Sequence, residues 1–166
     1  EPLLQIDFTD AILSECKKRN VHTAVDTCGY APRKAIEKIQ NKVDLFLYDL
    51  KIMNDAMHRR YTGKSNRQIL ENFKTLVENG NDLLVRFPVI PGINDDKDNV
   101  KKIVDFILSH GIKRICLLPY HRAGIEKYRS LGRGYNLNST KAPSEKKLNS
   151  IKDQFEASGL IVKIGG

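Results

Sequence analysis

The segment LFLYDLK, at residues 45–51, decides the fold class that we predict for this chain. Its nearly continuous apolar run, which stops at Asp49 and Lys51, is typical of a strand buried on both faces of a parallel sheet. Comparable apolar runs lie at 21–26, 83–90, 113–119 and 160–164. We therefore predict five strands, of which the one through LFLYDLK covers residues 43–50.

Helical spacing of apolar residues between these runs predicts five helices, so helix and strand alternate along the chain. The predicted helices cover residues 8–19, 32–41, 65–80, 95–110 and 144–159. Alternation of this kind implies an α/β fold with a parallel sheet, either open or curved toward a (β/α) barrel. A closed eight-unit barrel takes ~250 residues, so the 166 residues here cover part of one. Segment 120–143 breaks the alternation, and we interpret it as a long functional loop.

Composition limits the classes of protein to which the chain belongs. A length of 166 residues with 40% hydrophobic residues is enough for one compact domain. No apolar run approaches the ~18 residues of a membrane span, and we expect a cytoplasmic protein without a membrane partner. Cys16, Cys28 and Cys116 are widely spaced, which predicts neither a disulfide framework nor a zinc site.

The formal net charge of +8 raises the alternative of a non-catalytic basic module that binds nucleic acid or an acidic protein. The basic clusters at 17–19, 101–102 and 146–147, however, fall on predicted helices. Such clusters are typical of solvated helix faces. We therefore favour an enzyme over a nucleic-acid-binding module.

Four of the predicted strands lead into polar or charged residues at one edge of the sheet. These residues are Asp26 and Thr27, Asp49 and Lys51, Arg86, and His121. Because the carboxyl ends of parallel strands share an edge, we expect them to converge on one ligand. His22, His58 and His110 lack comparable neighbours, and we interpret them as surface or core residues.

Each strand end, taken alone, also has a structural interpretation. Asp26 is a candidate cap for the helix at 32–41. When Asp26 is considered without the other strand ends, this structural role is favoured over ligand binding. Asp49 and Lys51 alternate onto one side of their strand, either as an ion pair or as ligand-binding groups. Arg86 needs an anion, supplied by one of the aspartates or by a ligand. A second enzyme alternative is an aldolase-like barrel with Lys51 as a Schiff-base lysine.

Several ordered motifs together resemble a known family. They are Glu1-Pro2-Leu3, VDTCGY at 25–30, LFLYDLK at 45–51, HRRYTGKSN at 58–66, RFPVIPGIND at 86–95 and LLPYH at 117–121. The chain is similar over essentially its whole length to glycyl-radical enzyme activating enzymes, such as the activating enzyme of pyruvate formate-lyase. These are radical S-adenosylmethionine (SAM) enzymes, and the resemblance implies a partial (β/α)6 barrel with SAM at the carboxyl ends of its strands.

The resemblance also implies which residues bind the methionine end of SAM. By this resemblance, Glu1 and Pro2 are the end of the family's GGEP motif, which lies along the methionine moiety. Asp26 and Thr27 match the family's DT turn, and Asp49 matches its DLK aspartate. In relatives these three residues line the methionyl end and hold a monovalent cation.

The remaining cofactor-binding residues follow by the same resemblance. Lys51 and Arg86 contact polar groups of SAM, and His121 lies by the adenine. No catalytic residue is implied within this chain.

The resemblance implies an activity for the intact protein. A 4Fe-4S cluster, reduced by a donor such as flavodoxin or ferredoxin, cleaves SAM, and the resulting radical takes hydrogen from a glycine of a partner such as pyruvate formate-lyase. The family's CxxxCxxC cluster motif has no counterpart here, and the three cysteines do not match its spacing. We therefore expect residues 1–166 to be the C-terminal part of the barrel domain, cut just before Glu1 and inactive alone.

Overall fold

The computed structural model describes residues 1–122, 124–132, 134, 137 and 139–165. It contains five strands: β1 Ala24–Thr27, β2 Leu45–Asp49, β3 Leu83–Val89, β4 Arg114–Pro119 and β5 Ile161–Ile164. Its α-helices are α1 Ile6–Lys18, α2 Arg33–Ile39, α3 Asp55–Thr62, α4 Arg67–Glu78, α5 Lys97–Ser109, α6 Gly124–Ser130 and α7 Glu145–Glu156. Short 3-10 turns precede α1 at Pro2–Gln5 and follow α2 at Gln40–Lys42.

The five strands form one sheet in the order β1-β2-β3-β4-β5, and every neighbouring pair is parallel. Sequential order in a parallel sheet requires a crossover between each pair, and crossovers of one hand place the connecting helices on one face. The predicted α/β class with a partial barrel sheet is confirmed.

Alternation along the strands separates a buried face of the sheet from a more open one. Phe46 and Tyr48 of β2 and Val85 and Phe87 of β3 are all 0% exposed. They pack into the hydrophobic core with helix residues such as Phe73 of α4. The intervening side chains, which include Asp49 and Arg86, lie on the open face and are only partly buried. The open face is therefore where polar side chains from different strands meet.

The five helices predicted from apolar spacing are present, and all but α1, which buries only Leu13, bury three or more side chains. Ile69, Phe73 and Leu76 of α4 lie on one face and are buried. Helix α5 begins where the Asp96 side chain accepts a hydrogen bond from Asn99 N, a normal N-cap. The predicted helix at 32–41 is shorter than expected, since α2 ends at Ile39 and a 3-10 turn follows.

Two helices lie where the sequence predicted none. Helix α3 has little apolar periodicity, and it is defined instead by its ends. The Asn54 side chain accepts from Met57 N at the first turn, and Gly63, with a φ of +75°, ends the helix. Helix α6 occupies part of segment 120–143, so the prediction of a loop there is wrong for Gly124–Ser130. No helix in the described part of the chain is long and apolar enough to cross a membrane.

Candidate functional site

Three of the four strand ends meet in one ion network on the open face. Asp49 on β2 and Arg86 on β3 are register partners. The Arg86 guanidinium donates to Asp49 Oδ1 through Nε at 2.9 Å and lies 2.8 Å from it through a terminal nitrogen. It also forms an ion pair with Asp26 at the end of β1. The Lys51 ammonium pairs with the other oxygen of Asp49 at 3.0 Å. Two aspartates of this chain therefore supply the anion that the partly buried Arg86 requires.

The structure does not assign Asp26 to a helix cap. The N-cap of α2 is Pro32, and no side chain caps that helix. The interpretation of Asp26 as a cap for the helix at 32–41 is therefore wrong. Asp26 forms an ion pair with Arg86 instead, in which both partners are charged.

Burial and the neighbouring carboxylates have opposite effects on the pKa of Arg86. Burial lowers the pKa of its guanidinium, but the hydrogen bond to Asp26 and the charge of Asp49 outweigh this, and the net pKa is raised. The Arg86 side chain is 15% exposed and that of Asp49 is 16% exposed, whereas Asp26 is 62% exposed. Asp26 is thus the outermost carboxylate of the network.

Glu1, which precedes the first 3-10 turn, also contacts the end of β1. Its carboxylate accepts hydrogen bonds from Thr27 Oγ1 at 2.6 Å and from Cys28 N at 3.1 Å. The Cys28 thiol lies 3.1 Å from the same carboxylate. Burial raises the pKa of this thiol, and the hydrogen bond and charge of Glu1 raise it further. Glu1 and Thr27, which the sequence predicted to share a site, are therefore in direct contact.

The backbone at and after Lys51 is held by three buried asparagines to which the sequence assigned no role. Asn94 and Asn99 each donate from Nδ2 to the carbonyl oxygen of Lys51 at 3.1 Å. Asn66 donates to the carbonyl oxygens of Ile52 and Met53 at 3.0 and 2.8 Å. Asn66 and Asn94 lie in the motifs at 58–66 and 86–95, but Asn99 of α5 lies in none of the motifs, and only the folded chain brings the three together.

The fourth strand end lies beside the network rather than within it. His121 follows β4 and lines a cavity of about 580 Å³ together with Pro88, Ile90, Leu118 and Tyr120. We name it the His121 cavity. Its described walls are mainly apolar, and it opens at the carboxyl ends of β3 and β4. Of the four strand ends that were expected to converge, three therefore form one network and the fourth lies next to it.

A second cavity, of about 240 Å³, lies at the carboxyl end of β2. We name it the Lys51 cavity. Its walls include Leu4, Cys28, Tyr30, Lys51, His58 and Ile69. His58 is buried, with 4% of its surface exposed. Its interpretation as a surface or core residue did not predict that it lines a cavity. The only signal in the sequence was its place in the HRRYTGKSN motif.

The predicted cation ligands are engaged with protein groups in this structure. Asp26 and Asp49 both bind Arg86, and Thr27 donates to Glu1. Among the described residues no group of three His, Cys, Asp or Glu side chains is arranged to hold a metal ion. A monovalent cation at Asp26, Thr27 and Asp49 stays a prediction.

Comparison with known proteins matches the chain to one superfamily. The family model of the radical SAM superfamily matches residues 1–116. A trans-4-hydroxy-L-proline dehydratase activating enzyme of Clostridioides difficile is 42% identical over 97% of this chain and 54% of the relative. A choline trimethylamine-lyase activating enzyme of Oleidesulfovibrio alaskensis is 36% identical over 92% of this chain and 50% of the relative. The chain thus spans about half the length of these curated relatives.

A solved structure of similar extent also matches. It is the crystal structure of a domain of pyruvate-formate lyase-activating enzyme from Bacteroides vulgatus, with a TM-score of 0.83 and 30% identity. The match covers 100% of this chain and 94% of that domain. A domain of nearly the same extent has therefore been crystallised.

Proposed function

Because the chain belongs to the radical SAM superfamily and, within it, to the activating enzymes of glycyl-radical enzymes, we propose that its ion network binds SAM. The main observation in support of this proposal is that four charged side chains form ion pairs with one another at the carboxyl ends of neighbouring strands. They are Asp26, Asp49, Lys51 and Arg86. This edge is the usual ligand-binding edge of parallel α/β sheets.

The donor set fits the methionine end of SAM. A carboxylate such as that of Asp26 or Glu1 accepts hydrogen bonds from an ammonium group. Lys51 and Arg86 donate to a carboxylate. SAM carries both groups at its methionine end, so this network holds and orients that end through oppositely charged partners.

The adjacent cavity fits the other end of the same molecule. The His121 cavity has mainly apolar walls and is lined in part by the His121 ring, which suits the flat ring system of adenine. Because it lies beside the ion network at the carboxyl edge of the sheet, one elongated ligand bridges the two. In this proposal Lys51 and Arg86 fix the methionine end while His121 lies against the adenine.

The chain does not fit a 4Fe-4S cluster by itself. Cys16 lies on α1, Cys28 follows β1 and Cys116 lies on β4, and none has the spacing of a cluster motif. We propose that residues 1–166 are the C-terminal part of the barrel domain and that another part of the whole protein holds the cluster.

The whole protein, in this proposal, uses SAM and a reduced cluster to generate a glycyl radical on a partner enzyme. The partner is pyruvate formate-lyase or one of the related dehydratases, lyases and decarboxylases, and the electron donor is a flavodoxin or ferredoxin. The names of the relatives, each an activating enzyme, support this reaction class. The predicted cytoplasmic location stays a prediction.

The geometry argues against the alternatives. A Schiff-base lysine needs a neutral amine, whereas Lys51 is paired with Asp49. Two basic residues of α5 are also paired: Lys101 bonds Asp105, and Lys102 bonds Asp98. They are helix-surface ion pairs and do not form a free phosphate-binding patch.

Isothermal titration calorimetry of the whole protein with SAM tests the proposal. We expect clear binding by the wild type and at least tenfold weaker binding by the double variant Asp49→Asn, His121→Ala. Lys101→Met is the matched control, because it removes an ion pair on a helix away from the site. Unchanged affinity in the double variant contradicts the proposed site.

A further inference from the structure

Asn79 and Gly80, at the carboxyl end of α4, form the one Asn-Gly pair in the 166 residues. We propose that Asn79 is a site of spontaneous deamidation and that its contact with Gln40 slows the reaction. The pair lies between α4 and the amino end of β3, whereas the candidate SAM site lies at the carboxyl ends of the strands. The inference therefore does not depend on the proposed function.

The reaction needs no reactant other than water. The backbone nitrogen of Gly80 attacks Cγ of Asn79, so that an N–Cγ bond forms and the Cγ–Nδ2 bond breaks. The amide proton of Gly80 and the side-chain NH2 group leave together as ammonia. Water then opens the cyclic imide: cleavage at Cγ gives aspartate, and cleavage at the backbone carbonyl gives isoaspartate, in which the main chain runs through Cβ and Cγ.

Gly80 leaves the attacking nitrogen accessible. A side chain on the second residue of the pair hinders the approach of its nitrogen to Cγ of the first, and glycine has no side chain. No atom of the described residues lies within 4 Å of the position that a Cβ at Gly80 would take. The space on this side of the pair is therefore open.

The end of α4 restrains the reaction without preventing it. The N–H groups of Gly80 and Asn81 donate to the carbonyl oxygens of Val77 and Leu76, both at 3.0 Å, in a Schellman ending. In the imide the Cβ of Asn79 lies in one plane with the nitrogen of Gly80, so the ψ of Asn79 must rotate away from its value of 5°. Because helix ends open locally at low free-energy cost, this rotation is accessible from the folded state.

The side-chain amide of Asn79 is held by a contact at the protein surface. Its Nδ2 donates to Gln40 Oε1 at 2.8 Å, and Asn79 itself is exposed. An exposed hydrogen bond between two side chains lies at the weak end of the range for such bonds. The contact with Gln40 therefore slows the rotation of the amide only modestly.

Three other asparagines, each followed by an aspartate, are held more firmly. Asn54 caps α3 by accepting from a backbone N–H at 3.0 Å, and Asn81 donates to a backbone carbonyl at 2.8 Å. Asn94 is 1% exposed. The aspartate that follows each of them also hinders attack by its own nitrogen. We therefore expect all three to react more slowly than Asn79.

The products differ from Asn79 in charge and in contacts. A carboxylate at the carboxyl end of a helix is disfavoured by the helix dipole, and here it also lies next to Glu78 in the chain. Neither product has the amide that donates to Gln40. Deamidation therefore weakens the contact between the end of α4 and the 3-10 turn after α2.

Mass spectrometry of proteolytic peptides from the whole protein tests the site. We expect Asn79 to convert at least about fivefold faster than Asn54, Asn81 or Asn94, the factor for one net hydrogen bond. Conversion should be faster at mildly alkaline than at mildly acidic pH, because the attacking nitrogen must lose its proton. Both aspartate and isoaspartate should form, and labelling with an isoaspartyl methyltransferase detects the second product.

Asn79→Gln is the variant that confirms the position. Its longer side chain does not form the same ring, so the converted peptide is expected to disappear. Persistence of that product in the variant would overturn the inference. Conversion of Asn79 no faster than that of the three comparison asparagines, or aspartate without isoaspartate, would overturn it as well.

Gln40→Ala tests the restraint. It removes Oε1 but leaves the backbone carbonyl to which Asn81 donates, and we expect Asn79 to convert about twofold faster. Gln154→Ala on α7, whose side chain donates to Ser150 O, is the control and should keep the wild-type rate. Equal rates in Gln40→Ala and the wild type would overturn the role of Gln40. If Gln40→Ala does not fold, the comparison of rates among the four asparagines of the wild type decides the site.

Discussion

Arg86 and Asp49 lie directly opposite each other on neighbouring parallel strands and form two short contacts, at 2.9 and 2.8 Å. Both side chains are about one-sixth exposed, so their charges are largely withdrawn from water. A pair of this kind links the end of β2 to β3 at the edge where the candidate site lies. Loss of either partner leaves the other charge without its main counter-ion.

Arg86→Met is therefore expected to lower the free energy of unfolding by about 2 kcal/mol, because Asp49 keeps only Lys51 as a partner. Urea unfolding followed by circular dichroism measures the loss. The matched control is Lys101→Met, which breaks an exposed i,i+4 pair and is expected to cost about 0.5 kcal/mol or less. Equal losses in the two variants would show that the network at the strand ends is not stabilising.

Gly29→Ala is expected to destabilise the turn after β1 strongly. Gly29 has a φ of +71°, and a Cβ there would lie 1.7 Å from Tyr48 Oη. The Tyr48 ring cannot move away easily, because it is 0% exposed and its hydroxyl donates to Ile69 O at 2.6 Å. We expect a loss of about 3 kcal/mol from overpacking and backbone strain together.

Gly63→Ala separates these two contributions. Gly63 has a similar φ of +75°, but no atom of the described residues lies within 4 Å of the added Cβ. Only the backbone strain applies, and we expect a loss of about 1 kcal/mol. Thermal unfolding of both variants measures the difference, and a loss at Gly29 no larger than at Gly63 would contradict the close approach of Tyr48.

Asn99→Ala is expected to cost about 2 kcal/mol of stability, because two backbone groups lose the side chain that binds them and a third keeps only one of its two partners. Asn99 accepts from Met53 N at 2.8 Å and donates to the carbonyl oxygens of Lys51 and Asn94 at 3.1 and 2.9 Å. Weaker SAM binding should accompany the loss, since Asn94 is then the only one of the two asparagines that holds the carbonyl oxygen of Lys51. Urea unfolding and calorimetry measure the two effects.

The control for that variant is Asn79→Ala. Asn79 is exposed, and its side chain donates to Gln40 Oε1 at 2.8 Å. We expect a change of about 0.5 kcal/mol or less and unaltered SAM affinity. If Asn99→Ala resembles this control, the asparagine does not hold the backbone of Lys51.

Asp55 gives a pH dependence whose sign follows from its contacts. Its carboxylate accepts from Ser65 Oγ at 2.6 Å, Arg59 Nε at 3.0 Å and Asn66 N at 3.0 Å, and these contacts lower its pKa from 3.8 to about 2. The folded state thus holds its proton less tightly than the unfolded state. The stabilisation is present above about pH 4 and is lost as the pH falls toward 2.

The measurement compares wild type with Asp55→Asn. We expect the variant to have the lower thermal midpoint at neutral pH and the difference to shrink as the pH falls from about 4 to about 2. Carbon-13 titration of the Asp55 carboxyl group gives its pKa directly. A titration midpoint near 4, or a difference in thermal midpoint that does not change with pH, would contradict the contacts described.

The sequence predicted most of the elements because their signals are local. The apolar runs of β2 and β3 and the three-to-four-residue spacing of α4 are properties of short segments, and the structure confirms them. Helix α3 escaped prediction because its boundaries depend on a cap at Asn54 and a left-handed Gly63 rather than on apolar spacing. Periodicity does not detect a short polar helix.

The sequence by itself determined the alternation of strand and helix, and with it the sheet edge at which polar strand ends collect. Only the tertiary structure decided their partners: Arg86 forms ion pairs with Asp26 and Asp49, whereas His121 lines a separate cavity. It also brought His58 to the cavity wall beside Lys51. The physical reason is that periodicity sets which face a side chain occupies, whereas strand register and loop path set which atoms come within about 3 Å.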